Sequence, residues 1–123
     1  MLILLVDDDP EEFELFCEAL KTMGSDIKCL HAHDGAEALR MLTERRPLPN
    51  YIFLDINMPV MNGWECLTQI KSDPRLASIP VLVYSTTSNA REIESYRQLG
   101  AAEFIAKPAS FTQLVNVIRR TVT

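Results

Sequence analysis

The 123-residue sequence has no apolar run close to the roughly 20 residues that a membrane-spanning helix requires. The apolar segment at residues 2–6 is too short for a signal peptide and has no basic residues before it. These absences predict a cytoplasmic protein that does not associate with membranes.

Cysteine and basic residues are both scarce. The three cysteines, Cys17, Cys29 and Cys66, are odd in number, far apart and in no CxxC pair, which favours reduced thiols over a disulfide framework or a metal site. Twelve Lys and Arg residues stand against 17 Asp and Glu residues, so the net charge is −5. Without a clustered basic face, the chain is a poor candidate for nucleic-acid binding.

The length and composition are those of one globular domain. A chain of 123 residues with 47% hydrophobic and 24% charged residues buries a core of its own without disulfides. No linker, repeat or low-complexity segment divides it. We therefore expect a single domain over residues 1–123, with no output domain attached.

Short apolar runs alternate with amphipathic segments along the chain. Near-continuous apolar strands separated by helices predict an α/β fold with a parallel sheet covered on both faces. The predicted strands lie at 2–6, 27–30, 51–55, 80–84 and 103–106, and the predicted helices run over about 10–24, 34–46, 63–71, 89–99 and 110–122.

Each predicted helix begins with a capping residue followed three positions later by Glu or Gln. This spacing is that of the capping box or a close relative. The pairs are Asp9/Glu12, Asp34/Glu37, Asn62/Glu65, Asn89/Glu92 and Ser110/Gln113.

Polar residues follow the apolar strands at the edge where parallel strands end. They are Asp7, Asp8 and Asp9 after the first strand, Asp55 after the third, Ser85 after the fourth and Lys107 after the fifth. Clustered carboxylates repel one another, and a hard divalent cation such as Mg²⁺ compensates them. A carboxylate beside a cation, a lysine and a hydroxyl is suited to phosphoryl transfer, with Asp55 as the nucleophile. Asp9 precedes Pro10 and is expected to be only a helix N-cap.

With these motifs in order, the chain resembles a response-regulator receiver domain of two-component signalling. The matching elements are Asp7-Asp8, the D-x-x-M-P-x-M-N-G segment at 55–63, Ser85, and Lys107-Pro108. The resemblance covers essentially the whole chain. It implies a doubly wound, flavodoxin-like fold with five parallel strands in the order 2-1-3-4-5 and five helices.

The resemblance also implies a metal-dependent phosphoacceptor. Asp55 would accept a phosphoryl group from the phosphohistidine of a histidine kinase or phosphotransfer protein. Asp8, Asp55 and the backbone carbonyl of Asn57 would bind Mg²⁺ (or Mn²⁺), with Asp7 acting through water. Lys107 would contact the phosphoryl group.

Further implied features belong to a conformational switch. The Lys107-Pro108 peptide bond would be cis, Ser85 would move its hydroxyl onto the phosphoryl group, and Phe104 would rotate inward. This rotation would alter a surface made by the fourth helix, fifth strand and fifth helix, which would bind a downstream protein. The protein would act as a monomer or a phosphorylation-dependent homodimer, and would catalyse its own phosphotransfer and slow dephosphorylation without being a turnover enzyme.

Three alternatives remain open at this stage. An aspartyl-nucleophile phosphatase of the haloacid-dehalogenase type needs a second Asp two residues after the first, where this chain has Asn57. A nucleotide- or flavin-binding domain needs a phosphate-cradling loop after the first strand, where Asp7-Asp8-Asp9 would repel phosphate. A degenerate receiver used as a scaffold would not need the acids, hydroxyl and lysine. His31-x-His33 has no third ligand nearby and is interpreted as a pair of ordinary histidines.

Overall fold

The computed structural model describes residues 1–24, 26–44, 46–56, 58, 61–86 and 89–122. Five strands alternate with five helices. In chain order they are β1 (Leu2–Val6), α1 (Pro10–Lys21), β2 (Lys28–Ala32), α2 (Gly35–Glu44), β3 (Tyr51–Leu54), α3 (Gly63–Ser72), β4 (Val81–Ser85), α4 (Ala90–Leu99), β5 (Glu103–Ala106) and α5 (Phe111–Thr121).

The five strands form one parallel sheet in the order β2-β1-β3-β4-β5. The predicted doubly wound fold is therefore confirmed. Helices α1 and α5 cover one face of the sheet with an apolar cluster around Phe16, Phe53 and Ile118. Helices α2, α3 and α4 cover the other face with a cluster around Leu54, Leu67 and Val83. Among the described residues, no helix has the length and apolar content needed to cross a bilayer.

The predicted caps explain where four of the helices begin. The side chains of Asp34, Asn62, Asn89 and Ser110 each accept a hydrogen bond from the backbone N–H three residues later. At α1 the Asp9 carboxylate accepts from the N–H of Glu11 instead, at 2.9 Å. The Asp9 N–H, which Glu12 would bind in a capping box, donates instead to Oδ1 of Asp7 at 2.9 Å.

Two strands end later in the chain than the sequence predicts. The sequence predicts that β2 ends at Leu30, but the strand extends to Ala32. Because β2 is an edge strand and most of its side chains are only half-buried, polar residues fit within it. β4 includes Ser85, since the backbone N–H of Lys107 donates to the Ser85 carbonyl at 2.8 Å and prolongs the ladder to β5. α1 ends earlier, where the Thr22 hydroxyl donates to the Ala19 carbonyl at 2.6 Å.

Candidate functional site

Three carboxylates meet at the edge of the sheet where the strands end. β1 and β3 are neighbours with Val6 opposite Leu54, and the N–H of Asp55 donates to the Val6 carbonyl at 2.9 Å. One carboxylate oxygen from each of Asp7, Asp8 and Asp55 lies within 4.8 Å of the other two. The adjacency of β1 and β3 thus produces the acidic cluster that the strand order implies.

The three acids differ in their exposure to solvent. Asp7 is fully buried and Asp55 is 5% exposed, whereas Asp8 is exposed. One oxygen of Asp7 accepts a hydrogen bond from the backbone N–H of Asp9 at 2.9 Å. Asp9 is the N-cap of α1 as predicted, so the helix start also holds the Asp7 carboxylate in place.

Lys107 is the cation of the site. Its Nζ lies 3.1 Å from Oδ2 of Asp7 and 3.3 Å from Oδ2 of Asp55. The ammonium also lies over the ring of Tyr84, 5.4 Å from its centroid. Lys107 therefore bridges the ends of β1 and β3 from the β5 side, at a distance suited to contact a group bound to Asp55.

Burial of Lys107 lowers its pKa, but the carboxylates of Asp55 and Asp7, the hydrogen bond to Asp7 and the charge of Glu12 outweigh this effect and raise it overall. The lysine is thus held charged. The Lys107 ammonium faces three carboxylates, because Glu12 also approaches Nζ at 3.8 Å, and Asp8 adds a fourth to the site. The site carries excess negative charge.

Glu12 is a site residue that the sequence reasoning missed. The spacing predicts a capping box with Asp9, but the Asp9 N–H donates to Asp7 and the Glu12 carboxylate lies 3.8 Å from Nζ of Lys107. Burial raises the pKa of Glu12, Lys107 opposes this shift, and Asp7, Asp9 and Asp55 add to it. The signal that could have found it was its position in the first turn of a helix that starts at the acidic edge.

His31 is a second residue whose place was not anticipated. Its Nε2 lies 2.8 Å from the backbone carbonyl of Asp7, and its ring stacks on Phe13 with centroids 4.4 Å apart and planes 7° from parallel. His33 contacts the Glu37 carboxylate at 3.1 Å. His31 therefore supports the backbone of the buried Asp7. The metal-ligand group found among the described residues consists of Asp7, Asp8 and Asp55, and it includes neither histidine.

The other predicted site residues are placed as follows. Ser85 is fully buried at the end of β4, beside the backbone of Lys107. Asn57 lies outside the described residues.

The prediction of a cis Lys107-Pro108 bond is wrong: Arg46-Pro47 is the cis bond of the described chain. An X-Pro bond favours trans by only about 0.5–1 kcal/mol, so the residue types do not determine the isomer, and Lys107 reaches both acids from the trans backbone.

Phe104 belongs to a row of aromatic rings behind the site. It is partly buried on β5 and lies edge-on to Tyr96 of α4, with centroids 6.0 Å apart. Tyr96 in turn lies edge-on to Trp64 of α3 at 5.0 Å. The row connects β5, α4 and α3 on one face of the sheet.

The donor set of the acidic cluster fits a hard divalent cation. Carboxylate oxygens are the ligands that Mg²⁺ and Mn²⁺ prefer. Asp7, Asp8 and Asp55 each offer one oxygen to a common point, and the Lys107 ammonium, the cationic group found against them among the described residues, does not compensate three negative charges. The exposed side of Asp8 gives an ion access from solvent.

Comparisons with known proteins agree with this geometry. The family described as the response regulator receiver domain matches residues 3–119. Response regulator Rcp1 of Synechocystis is 32% identical over 123 residues, covering 96% of this chain and 84% of Rcp1. The transcriptional regulatory protein PrrA of Mycobacterium tuberculosis is 35% identical over 113 residues, which are 92% of this chain and 46% of PrrA.

Solved structures of related proteins have the same fold. The phosphorylated cyanobacterial phytochrome response regulator RcpA superposes with a TM-score of 0.87 at 34% identity, covering 97% of this chain and 89% of that one. The Mn²⁺-bound form of Rcp1 gives a TM-score of 0.86 at 31% identity with the same coverage. By its sequence, its strand order and its acidic edge, the chain belongs to the response regulator receiver domains of two-component signalling.

Proposed function

We propose that the protein is a phosphoacceptor switch in a two-component phosphorelay, with Asp55 as the acceptor. The observation that carries the proposal is the placement of the Asp55 carboxylate, 3.3 Å from the Lys107 ammonium and within 4.8 Å of carboxylate oxygens of Asp7 and Asp8. The donor would be the phosphohistidine of a histidine kinase or phosphotransfer protein.

Asp7, Asp8 and Asp55 are the described residues that would hold Mg²⁺ or Mn²⁺. We assign direct contacts to Asp8 and Asp55, an indirect contact through water to Asp7, and a further direct contact to the backbone carbonyl of Asn57. When bound, the cation supplies positive charge that offsets the carboxylates and the incoming phosphoryl oxygens. We assign Asp7 the contact through water because both of its carboxylate oxygens already accept hydrogen bonds, one from the Asp9 N–H and one from Lys107.

The residues of this chain then perform the transfer. An oxygen of Asp55 attacks phosphorus as the bond from phosphorus to the donor imidazole nitrogen breaks, and the electron pair of that bond returns to the nitrogen. Lys107 holds the phosphoryl oxygens through a charge-assisted hydrogen bond. The Ser85 hydroxyl contacts another phosphoryl oxygen from the end of β4. Water later hydrolyses the acyl phosphate slowly, so the protein is a switch and not a turnover enzyme.

The signal passes to a surface formed by α4, β5 and α5. Phe104 lies on β5 against Tyr96 of α4, and Arg120 of α5 contacts Glu103 of β5 at 2.6 Å. We propose that movement of Ser85 toward the phosphoryl group draws Phe104 inward and rearranges this surface for a downstream protein, as a monomer or as a phosphorylation-dependent homodimer.

The test is intact mass spectrometry after incubation with a small-molecule phosphodonor and Mg²⁺. The wild-type protein is expected to gain one phosphoryl group, and the Asp55→Asn variant none. Asp26→Asn is the matched control, since it removes an exposed carboxylate remote from the acidic cluster. Labelling of Asp55→Asn at the wild-type rate would place the acceptor elsewhere and refute the proposal.

A further inference from the structure

Side chains of helix α1 lie beside side chains of the edge strand β2 at two successive positions. Phe13 stacks on His31 near the acidic edge, with ring centroids 4.4 Å apart. One helical turn along α1 and two residues back along β2 lie Cys17 and Cys29, on the same faces as Phe13 and His31 respectively. The packing of α1 on β2 therefore brings together two cysteines that are distant in sequence.

The Cys29 thiol donates to the backbone carbonyl of Leu30 at 3.6 Å and lies at the same cavity as Cys17. Both side chains are partly accessible to solvent, and both line one small cavity of about 150 Å³, together with Leu20, Lys21 and Ile27. The volume of this cavity is sufficient for a molecule of the size of a peroxide, and both cysteines line it. This juxtaposition is independent of the acidic site and serves no part of the proposed phosphotransfer.

Cys66 provides an internal contrast. It is fully buried in the cluster under α2, α3 and α4, whereas Cys29 packs in the cluster under α1 and α5. The sheet separates the two clusters. Cys66 therefore has no route to either of the other thiols in the folded protein.

We propose that Cys17 and Cys29 form a modification site that a hydroperoxide closes to an intramolecular disulfide and that a thiol reductant reopens. The Cys17 thiolate attacks one peroxide oxygen, the O–O bond breaks, and Cys17 becomes a sulfenic acid as the first water leaves. The Cys29 sulfur then attacks the Cys17 sulfur and expels its hydroxyl as the second water. With hydrogen peroxide, two thiols and one peroxide give one disulfide and two waters, and the peroxide is the species reduced.

The surroundings assign the attacking role to Cys17. The charge of the Lys21 ammonium, on the next turn of α1, favours the Cys17 thiolate, while the charge of Glu18 opposes it. Burial raises the pKa of both thiols, so closure is slower than oxidation of an exposed thiol at neutral pH.

The experiment treats the native wild-type protein with hydrogen peroxide in mildly alkaline buffer, then unfolds it in denaturant and alkylates the remaining thiols, so that the buried Cys66 also reacts. We expect a monomer that has lost two hydrogen atoms and takes up one alkyl group in place of three. Tryptic cleavage after Lys21 and Lys28 separates the two cysteines, so the expected disulfide appears as a linked pair of peptides. Dithiothreitol is expected to restore threefold alkylation.

Variants and outcomes make the test decisive. Cys66→Ala should retain the linked peptides, and Cys17→Ala or Cys29→Ala should lose them while keeping a cooperative thermal transition. The wild-type peptide map stands alone if either variant fails to fold. Oxidation of Cys17 to a sulfinic acid with Cys29 still alkylatable would overturn the proposal, as would a disulfide between two chains or one that includes Cys66.

Discussion

Replacing Asp8 by Asn should stabilise the metal-free protein and remove its stabilisation by magnesium. Asp8 is the exposed member of the acidic cluster, and its carboxylate lies within 4.8 Å of oxygens of Asp7 and Asp55. At the dielectric constant of water, two unit charges at this distance repel by about 0.9 kcal/mol. Two such repulsions, less the lost attraction to Lys107, leave a net gain on the order of 1 kcal/mol.

For a domain of 123 residues this gain corresponds to a rise of about 3–5 °C in melting temperature. In the wild-type protein, Mg²⁺ at one hundred times its dissociation constant should add about 2.7 kcal/mol of stability. The same Mg²⁺ concentration should add far less to Asp8→Asn, because the variant has lost a ligand. The substitution therefore raises the stability of the metal-free protein but lowers the stability that Mg²⁺ adds. A substitution that only destabilised the fold would not raise the first quantity.

The assay is thermal unfolding with a chelator and across a Mg²⁺ titration, with NaCl at matched ionic strength to correct for screening. The dissociation constant measured by titration fixes the stability increment expected at each concentration. Asp26→Asn is the control and should leave both quantities unchanged. A lower melting temperature for metal-free Asp8→Asn, together with an intact magnesium increment, would refute the argument that these acids repel one another and share an ion.

Three other predictions concern the same structure. In Gly63→Ala the added Cβ would lie 2.5 Å from the Cα of Ile56, so the variant should lose about 1–3 kcal/mol of unfolding free energy in chemical denaturation. Lys107→Ala removes the ammonium beside Asp55 and should slow labelling by a small phosphodonor between about tenfold and a hundredfold, the equivalent of a charge-assisted hydrogen bond of about 1.5–3 kcal/mol. Burial raises the pKa of Cys66 from 9.0 to about 12, so the folded protein retains a proton that the unfolded chain loses, and stability should fall as the pH rises from 9.0 toward 12.

Each of these predictions has a control and a contrary result. Lys28→Ala removes an exposed lysine at the start of β2 and should leave the labelling rate unchanged. Equal labelling rates for Lys28→Ala and Lys107→Ala would show that Lys107 does not assist phosphoryl transfer. A Gly63→Ala protein as stable as wild type would show that Ile56 moves aside at little cost. Cys66→Ala should flatten the alkaline fall in stability, and an unchanged slope would assign that fall to other groups.

The sheet and its acidic edge were predictable because local signals agreed with each other. Apolar runs marked the strands, and capping residues marked the starts of α2, α3, α4 and α5. Once β1 and β3 are neighbours in a parallel sheet, Asp7 and Asp55 have to meet, since each directly follows its strand. The local signals do not give the order of the strands, which came from the resemblance to receiver domains.

The missed features depend on packing between elements that the sequence does not specify. Glu12 belongs to the site because the Asp9 N–H binds Asp7 and the Glu12 carboxylate lies near Lys107 instead. His31 reaches Asp7 because β2 runs two residues beyond its apolar part. Cys17 and Cys29 are far apart in the sequence, and only the packing of α1 beside β2 places both of them at one small cavity.

The row of aromatic rings makes the fluorescence of Trp64 sensitive to the packing of α3 and α4. Trp64 is the single tryptophan of the chain and is 41% exposed, with its ring against Tyr96 and, through it, Phe104. Any displacement of α4 relative to α3 changes the surroundings of that indole, and therefore its fluorescence emission. Motion at the far side of the sheet can be followed in real time with unlabelled protein.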